Sequence, residues 1–265
     1  MTAWTQHHLL PQLALPPVGY RPAPRHIDVW TLHAGPDSTN SAQRLVALLD
    51  PTERRCANSF LSTDRRDTYV LAHLALRLIL ANCLGTAPQA VPISHAACPV
   101  CQKPHGRTAL RHVRNLHFSL SRSRTTVMLA LARTPIGIGL KAVDSAGTEL
   151  LHRLHPNEQE AIHQLPSAER SHALLECWVR KEAYLKAQET GLTRNRIPVV
   201  NIGSGPQLAA DAGAPAGWYL SALTAPPGHA AAAAFRVDRH PASGQPTVTP
   251  RGCDLCWSWS AVPGV

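Results

Sequence analysis

One spacing constrains this chain more than any other. His155-Pro156-Asn157-Glu158 stands 105 residues after Asp50-Pro51-Thr52-Glu53, Ser167 stands 105 after Ser62, and Glu182 stands 105 after Arg77. In the first half an N-cap, a first-turn proline and a capping-box glutamate open a short helix that runs to about Phe60, and the second half repeats the pattern. Each short helix is followed by a long helical run. The first extends from about Ser62 to Leu84 and is stopped by Gly85; the second extends from Ser167 to Glu189 and ends before Gly191. Strand-like alternation brackets both runs: His26 to His33, Leu116 to Leu120 and Val127 to Leu131 in the first half, then Ile136 to Val143, Trp218 to Leu223 and Ala230 to Val237 in the second. A repeat of this length implies two similar α+β lobes and excludes a solenoid, whose units are much shorter. The expected division is an extended, proline-rich arm at 1–25, lobes at 26–135 and 136–240, and a tail at 241–265. Two such lobes would pack across a cleft, where ligands commonly sit.

Charge and cysteine usage narrow the class. A formal net charge of +9 over 265 residues attracts anions: nucleic acid, a phosphorylated small molecule or an acidic protein. No basic run interleaved with aromatics and no nucleic-acid motif occurs, so nucleic acid is not the expected partner. The longest apolar runs, such as Val70 to Leu80, are interrupted by His73 and Arg77 and read as too short for a bilayer, and no charged-then-apolar leader opens the chain. The expectation is a cytoplasmic protein without a membrane partner, and a monomer. Seven cysteines without an export signal point to thiols or a metal instead of a disulfide framework. Cys98-x-x-Cys101 and Cys253-x-x-Cys256 together would suit a tetrahedral structural zinc, provided the two pairs, about 150 residues apart, meet in space. Cys56, Cys83 and Cys177 fall inside helices and read as core thiols.

The second long helix carries Trp178-Val179-Arg180-Lys181-Glu182-Ala183-Tyr184-Leu185-Lys186. At 3.6 residues per turn, Leu175, Trp178, Val179, Glu182, Leu185 and Lys186 share one side, so Glu182 lies within the apolar stripe. A carboxylate there needs a cationic partner. The plainest partner is Lys186 one turn on.

Three segments resemble the Sfp-type 4′-phosphopantetheinyl transferase superfamily: Trp178-x-x-Lys181-Glu182-Ala183-x-x-Lys186 with Gly191-Leu192, His117-Phe118-Ser119-Leu120-Ser121-x-Ser123, and Ile136-Gly137-Ile138. The resemblance covers roughly residues 26–240. It implies an α+β fold of two pseudo-symmetric lobes with coenzyme A between them. It also implies transfer of the phosphopantetheine arm to a serine of an acyl or peptidyl carrier protein, with release of 3′,5′-ADP. By the same resemblance, Lys181 and Lys186 lie near the phosphates, Arg107 in His105-Gly106-Arg107 contacts coenzyme A, and Ser121 and Arg122 lie near its 3′-phosphate.

The resemblance also implies a magnesium ion held by Glu182 and by an Asp and a Glu two apart on the strand after the Gly-Ile pair. Hard oxygen ligands suit magnesium, and i,i+2 carboxylates on a strand point to one face. In this chain those positions are Gly139 and Lys141. Two readings of Lys141 follow: its ammonium replaces the divalent ion beside Glu182 or the pyrophosphate, or it merely neutralises Glu182 in a site that has lost its metal. Without a metal, Glu182 is the remaining candidate for general base. The expected activity is phosphopantetheine transfer from coenzyme A to a carrier, catalysed by Glu182, Lys186 and Lys141. The alternatives are a different reaction on a phosphopantetheine thioester, such as condensation, cyclisation or dehydration in polyketide or nonribosomal peptide biosynthesis, and a non-catalytic carrier-binding scaffold.

Overall fold

The computed structural model describes residues 13–95, 108–188, 197–203, 215–236 and 247–251. Its N-terminal lobe opens with β1 (His26–His33), whose residues alternate between two buried faces. Helices α1 (Pro36–Arg44), α2 (Pro51–Asn58) and α3 (Thr63–Leu84) follow, then the short strands β2 (Ile93–His95) and β3 (Thr108–Leu110), then β4 (His117–Ser123) and β5 (Thr126–Ala132). Asp50 caps α2 by accepting from Thr52 N and Glu53 N at 2.8 Å each, while the Glu53 carboxylate accepts from Asp50 N. Ser62 caps α3, and Gly85 ends it at φ 65, a conformation that costs a residue with a Cβ but not glycine.

The C-terminal lobe repeats the plan with β6 (Ile136–Ala142), the single turn α4 (Thr148–Leu151), α5 (Pro156–His163), α6 (Ser167–Ala187), β7 (Trp218–Ala222) and β8 (His229–Arg236). The N-terminal sheet runs β4-β5-β1-β9, where β9 (Thr247–Pro250) lies parallel to β1, and the C-terminal sheet runs β7-β8-β6. Strand order therefore matches lobe to lobe: β4, β5 and β1 correspond to β7, β8 and β6.

Three cores follow from the alternation of the strands. Trp30, Leu32, Phe118, Leu129 and Leu131 face α3, and the side chains of α3 from Thr68 to Ala81 are all buried. Ala232 and Ala234 of β8 face α6. The opposite faces of the two sheets meet: Ile27, Val29, Met128 and Ala130 pack on Ile136, Ile138, Leu140, Ala233 and Phe235. The lobes are thus joined by an apolar layer of their own.

Several elements differ from the sequence expectation. The run Ser121-Arg122-Ser123-Arg124 reads as a turn, yet β4 continues through Ser123 and the hairpin turns at Arg124, which has φ 52, and Thr125. Helix α1 and strand β9 are not evident in the sequence pattern. Residues 13–25 carry no helix or strand but are tied to the first lobe: the Trp30 indole donates to Ala14 O at 2.7 Å and the Asn82 amide to Pro16 O at 2.9 Å. Helix α3, with 22 residues, is long and apolar enough to cross a bilayer, contrary to the reading of its run as too short, but it forms the core of the first lobe. Cys83 and Cys177 are core thiols, and burial pushes them up to about 11 and about 12 respectively. Cys56 is exposed, because α2 buries Glu53 and Ala57 and Cys56 lies beside that stripe. Residues 98, 101, 107, 191, 192, 253 and 256, and with them the zinc expectation and the placing of Arg107, lie outside the described residues.

Candidate active site at the lobe junction

Two sheet edges, β4 and β6, face each other where the lobes meet. Exposed strand edges carry unpaired N–H and C=O groups that must find partners when buried. Here side chains bridge the gap. The serines at every second position of β4 point to the junction: Ser119 Oγ accepts from Ile138 N at 3.0 Å and Ser123 Oγ accepts from Ala142 N at 2.8 Å. The central serine, Ser121, reaches α6, where its hydroxyl donates to Glu182 Oε1 at 3.2 Å. This spacing explains the serines of the β4 segment by the period of two of a strand.

Glu182 and Lys186 sit one helical turn apart on α6 and form an ion pair of 2.7 Å, with the carboxylate side chain 11% exposed. The Lys186 ammonium also donates to Ser121 Oγ at 3.0 Å, to Leu120 O of β4 at 3.1 Å and to Ile138 O of β6 at 3.0 Å. The cation partner demanded by Glu182 is therefore Lys186. Glu182 Oε2 makes no hydrogen bond among the described residues.

Lys181 is not part of this arrangement. Its ammonium is 1% exposed, pairs with Glu158 and donates to Ile197 O at 2.9 Å. Glu158 is equally enclosed: its Oε2 accepts from His155 N at 3.0 Å and its Oε1 from Ile202 N at 2.9 Å. The expectation that Lys181 meets phosphates is corrected accordingly, since an ammonium on the adjacent position points about 100° away from Glu182 around the helix.

Lys141 also departs from expectation. It does not neutralise Glu182; its Nζ stands 5.9 Å from the centre of the Trp178 ring, with the Arg153 guanidinium 4.9 Å from the same ring. Neither cation has a carboxylate partner among the described residues. Arg153 carried no signal in the sequence, because only the fold brings the chain after α4 to Trp178. Arg122, between two junction-facing serines and therefore on the other face of β4, is exposed and lies over the Tyr69 ring of α3 at 5.0 Å.

The residues present do not fit the family's magnesium ion. Position 139, expected to supply a ligand, faces α6: a Cβ added to Gly139 would overlap Val179 O, with the Val179 carbonyl carbon at 2.9 Å. Among the described residues no three His, Cys, Asp or Glu side chains converge as a metal would require. Glu182 is already paired with an ammonium, and the carboxylate of Asp144, just beyond β6, is taken up by Arg124 of the β4–β5 turn.

Residues 135–234, from the start of β6 through most of β8, match the family model of the 4′-phosphopantetheinyl transferase superfamily. A curated relative, the 4′-phosphopantetheinyl transferase HetI of Nostoc sp. (strain PCC 7120 / SAG 25.82 / UTEX 2576), is 28% identical over 158 residues, which cover 57% of this chain and 64% of the relative. The chain thus spans just under two thirds of that relative's length. With paired α+β lobes and a glutamate–lysine turn of α6 at their junction, the chain is similar over residues 135–234 to the 4′-phosphopantetheinyl transferase superfamily.

Proposed function

We propose that the protein transfers 4′-phosphopantetheine from coenzyme A to a serine of an acyl or peptidyl carrier protein. The observation that carries this reading is the meeting of Glu182, Lys186 and Ser121 where the two lobes join. In the proposed reaction the carrier serine attacks the phosphorus bonded to the pantetheine arm, the bond to 3′,5′-ADP breaks, and the serine proton passes to Glu182 Oε2. Lys186 holds Glu182 in place through the ion pair and the Ser121 hydroxyl. Lys141 and Arg153, gathered at Trp178, offer fixed positive charge to the departing pyrophosphate oxygens, and Arg122 does so from the β4 side. Arg107 is proposed as a further coenzyme A contact. The net charge of +9 favours encounter with an acidic carrier.

The test is the mass of an apo carrier protein incubated with coenzyme A and this protein. A gain of one phosphopantetheine arm is expected, and no gain at high protein concentration overturns the reading. Glu182→Gln is expected to reduce the rate by 10²–10⁴-fold, about the contribution of a positioned general base. The misfit of magnesium favours one second reading, in which Glu182 acts as base on a carrier that already bears a phosphopantetheine thioester. That chemistry breaks no pyrophosphate bond, and turnover of an acyl-carrier substrate abolished by Glu182→Gln supports it.

A further inference from the structure

The contact between α6 and β6 is unusual in being backbone on backbone. Gly137, Gly139 and Lys141 lie on the face of β6 that looks at α6. A Cβ on Gly137 would overlap Ala183 O and stand 2.6 Å from Ala187 N, and one on Gly139 would overlap Val179 O. Backbone atoms of a helix cannot swing aside as a side chain can. The helix itself fills the volume in which a carboxylate on position 139 would stand. Only glycine permits this approach.

The same stretch of α6 supplies a cation from within the chain. The Lys186 ammonium is surrounded by four oxygens: Glu182 Oε1 at 2.7 Å, Ser121 Oγ and Ile138 O at 3.0 Å, and Leu120 O at 3.1 Å. Two of these are carbonyls of facing strands from different sheets, and one is the carboxylate of its own helix. A positive charge in a cage of this kind links α6, β4 and β6 at once.

We propose that this site takes no divalent metal in the free protein: the glycine contact of α6 on β6 fills the volume in which a strand carboxylate would stand, and Lys186, a lysine that the family motif itself carries, ties Glu182, β4 and β6 together without one. The inference concerns the folded chain and does not depend on which reaction the site performs.

The experiment combines melting and metal titration of the full chain. Chelator-treated protein is expected to show the same Tm with and without millimolar magnesium or manganese, and calorimetric titration of either metal is expected to show no binding that Glu182→Gln removes. Lys186→Met is expected to lower Tm by several degrees without recovery on adding metal, and Lys186→Arg to recover less than half of the loss, since a planar guanidinium does not match the cage. Combining Lys186→Met with Glu182→Gln is expected to cost less than the sum of the two, because each single change leaves the other charge uncompensated. Gly139→Asp is expected to lower Tm and create no metal affinity. A metal titration with a saturable, Glu182-dependent signal, or a Gly139→Asp protein that gains both metal binding and stability, overturns the proposal. Should Lys186→Met fail to fold, the titration of the native chain decides alone. A protein inactive in transfer but indifferent to metal leaves this inference standing, and one that binds metal at Glu182 defeats it whatever reaction it catalyses.

Discussion

The two lobes solve one problem with the same parts and then diverge in where the long helix places its buried cation. In each, a capping-box glutamate on a short helix is buried and meets a buried cation from the long helix behind it. In the first lobe Arg77 donates to Glu53 Oε2 at 2.5 Å, to Asp50 Oδ2 at 2.6 Å and to Pro88 O at 2.8 Å. In the second, Lys181 pairs with Glu158 and donates to Ile197 O. By the 105-residue repeat, however, Arg77 corresponds to Glu182 and not to Lys181. The second lobe has moved its structural cation back one residue, and the step of about 100° leaves position 182 facing β4. A carboxylate placed there becomes available for chemistry because the lobe no longer needs that position for its own pairing.

The largest effect that can break this comparison is removal of either structural cation. Lys181→Met and Arg77→Met are each expected to destabilise by about 3–5 kcal/mol, since each strands a buried carboxylate, and denaturant unfolding measures both. A Lys181→Met protein of native stability that has lost only coenzyme A binding would show that the lobes are not equivalent. Next in size, Gly139→Ala is expected to cost about 1–3 kcal/mol through overpacking of α6 on β6. The same substitution at Gly85 tests conformation instead: its φ of 65 penalises any residue with a Cβ, by about 1 kcal/mol.

Acid distinguishes the lobes more gently. His73 stacks on Tyr69 at 4.0 Å and bonds Glu53 at 3.1 Å, and burial holds it below its ordinary range although Glu53 pulls the other way. The repeat places Trp178 at the matching position of the second lobe. A histidine whose folded pKa is depressed stays neutral in the fold, so its contribution is complete above its unfolded value of about 6.5 and is lost as pH falls through the folded one. Burial alone would raise the Glu53 carboxyl, but bonds from His73 and Arg77 outweigh it and lower the folded value. Its contribution is therefore lost at still lower pH, below about 4.3. Hydrogen exchange is expected to show the first lobe opening before the second as pH drops below 6, and His73→Phe to remove the earlier part of that loss.

Much of this was legible in the residues. The alternation at His26 to His33 and the Asp50-Pro51-Thr52-Glu53 and Gly85 signals act within a few residues, so β1, α2 and α3 follow from local physics. The apolar setting of Glu182 and its turn-spaced lysine were equally readable, and so was the resemblance that residues 135–234 bear to the family model. The assignments that failed are those in which neighbours decide. Lys181 and Lys186 have the same side chain, and nothing local distinguishes the one that faces Glu158 from the one that faces two strand edges. Ser121-Arg122-Ser123 carries turn composition, yet the Ala142 N–H of β6 donates to the Ser123 hydroxyl while Ser121 meets Glu182 and Lys186 of α6, and these contacts draw the strand onward.

By itself, then, the sequence determined two α+β lobes, their helix caps and a glutamate–lysine turn in the second long helix, because caps, periodicity and glycine stops act at short range. The tertiary structure decided which lysine serves the fold, that Lys141 and Arg153 gather at Trp178 and that α6 rests directly on Gly137 and Gly139. Those outcomes depend on which surfaces meet, and the meeting of two lobes is set by burial of their shared apolar layer.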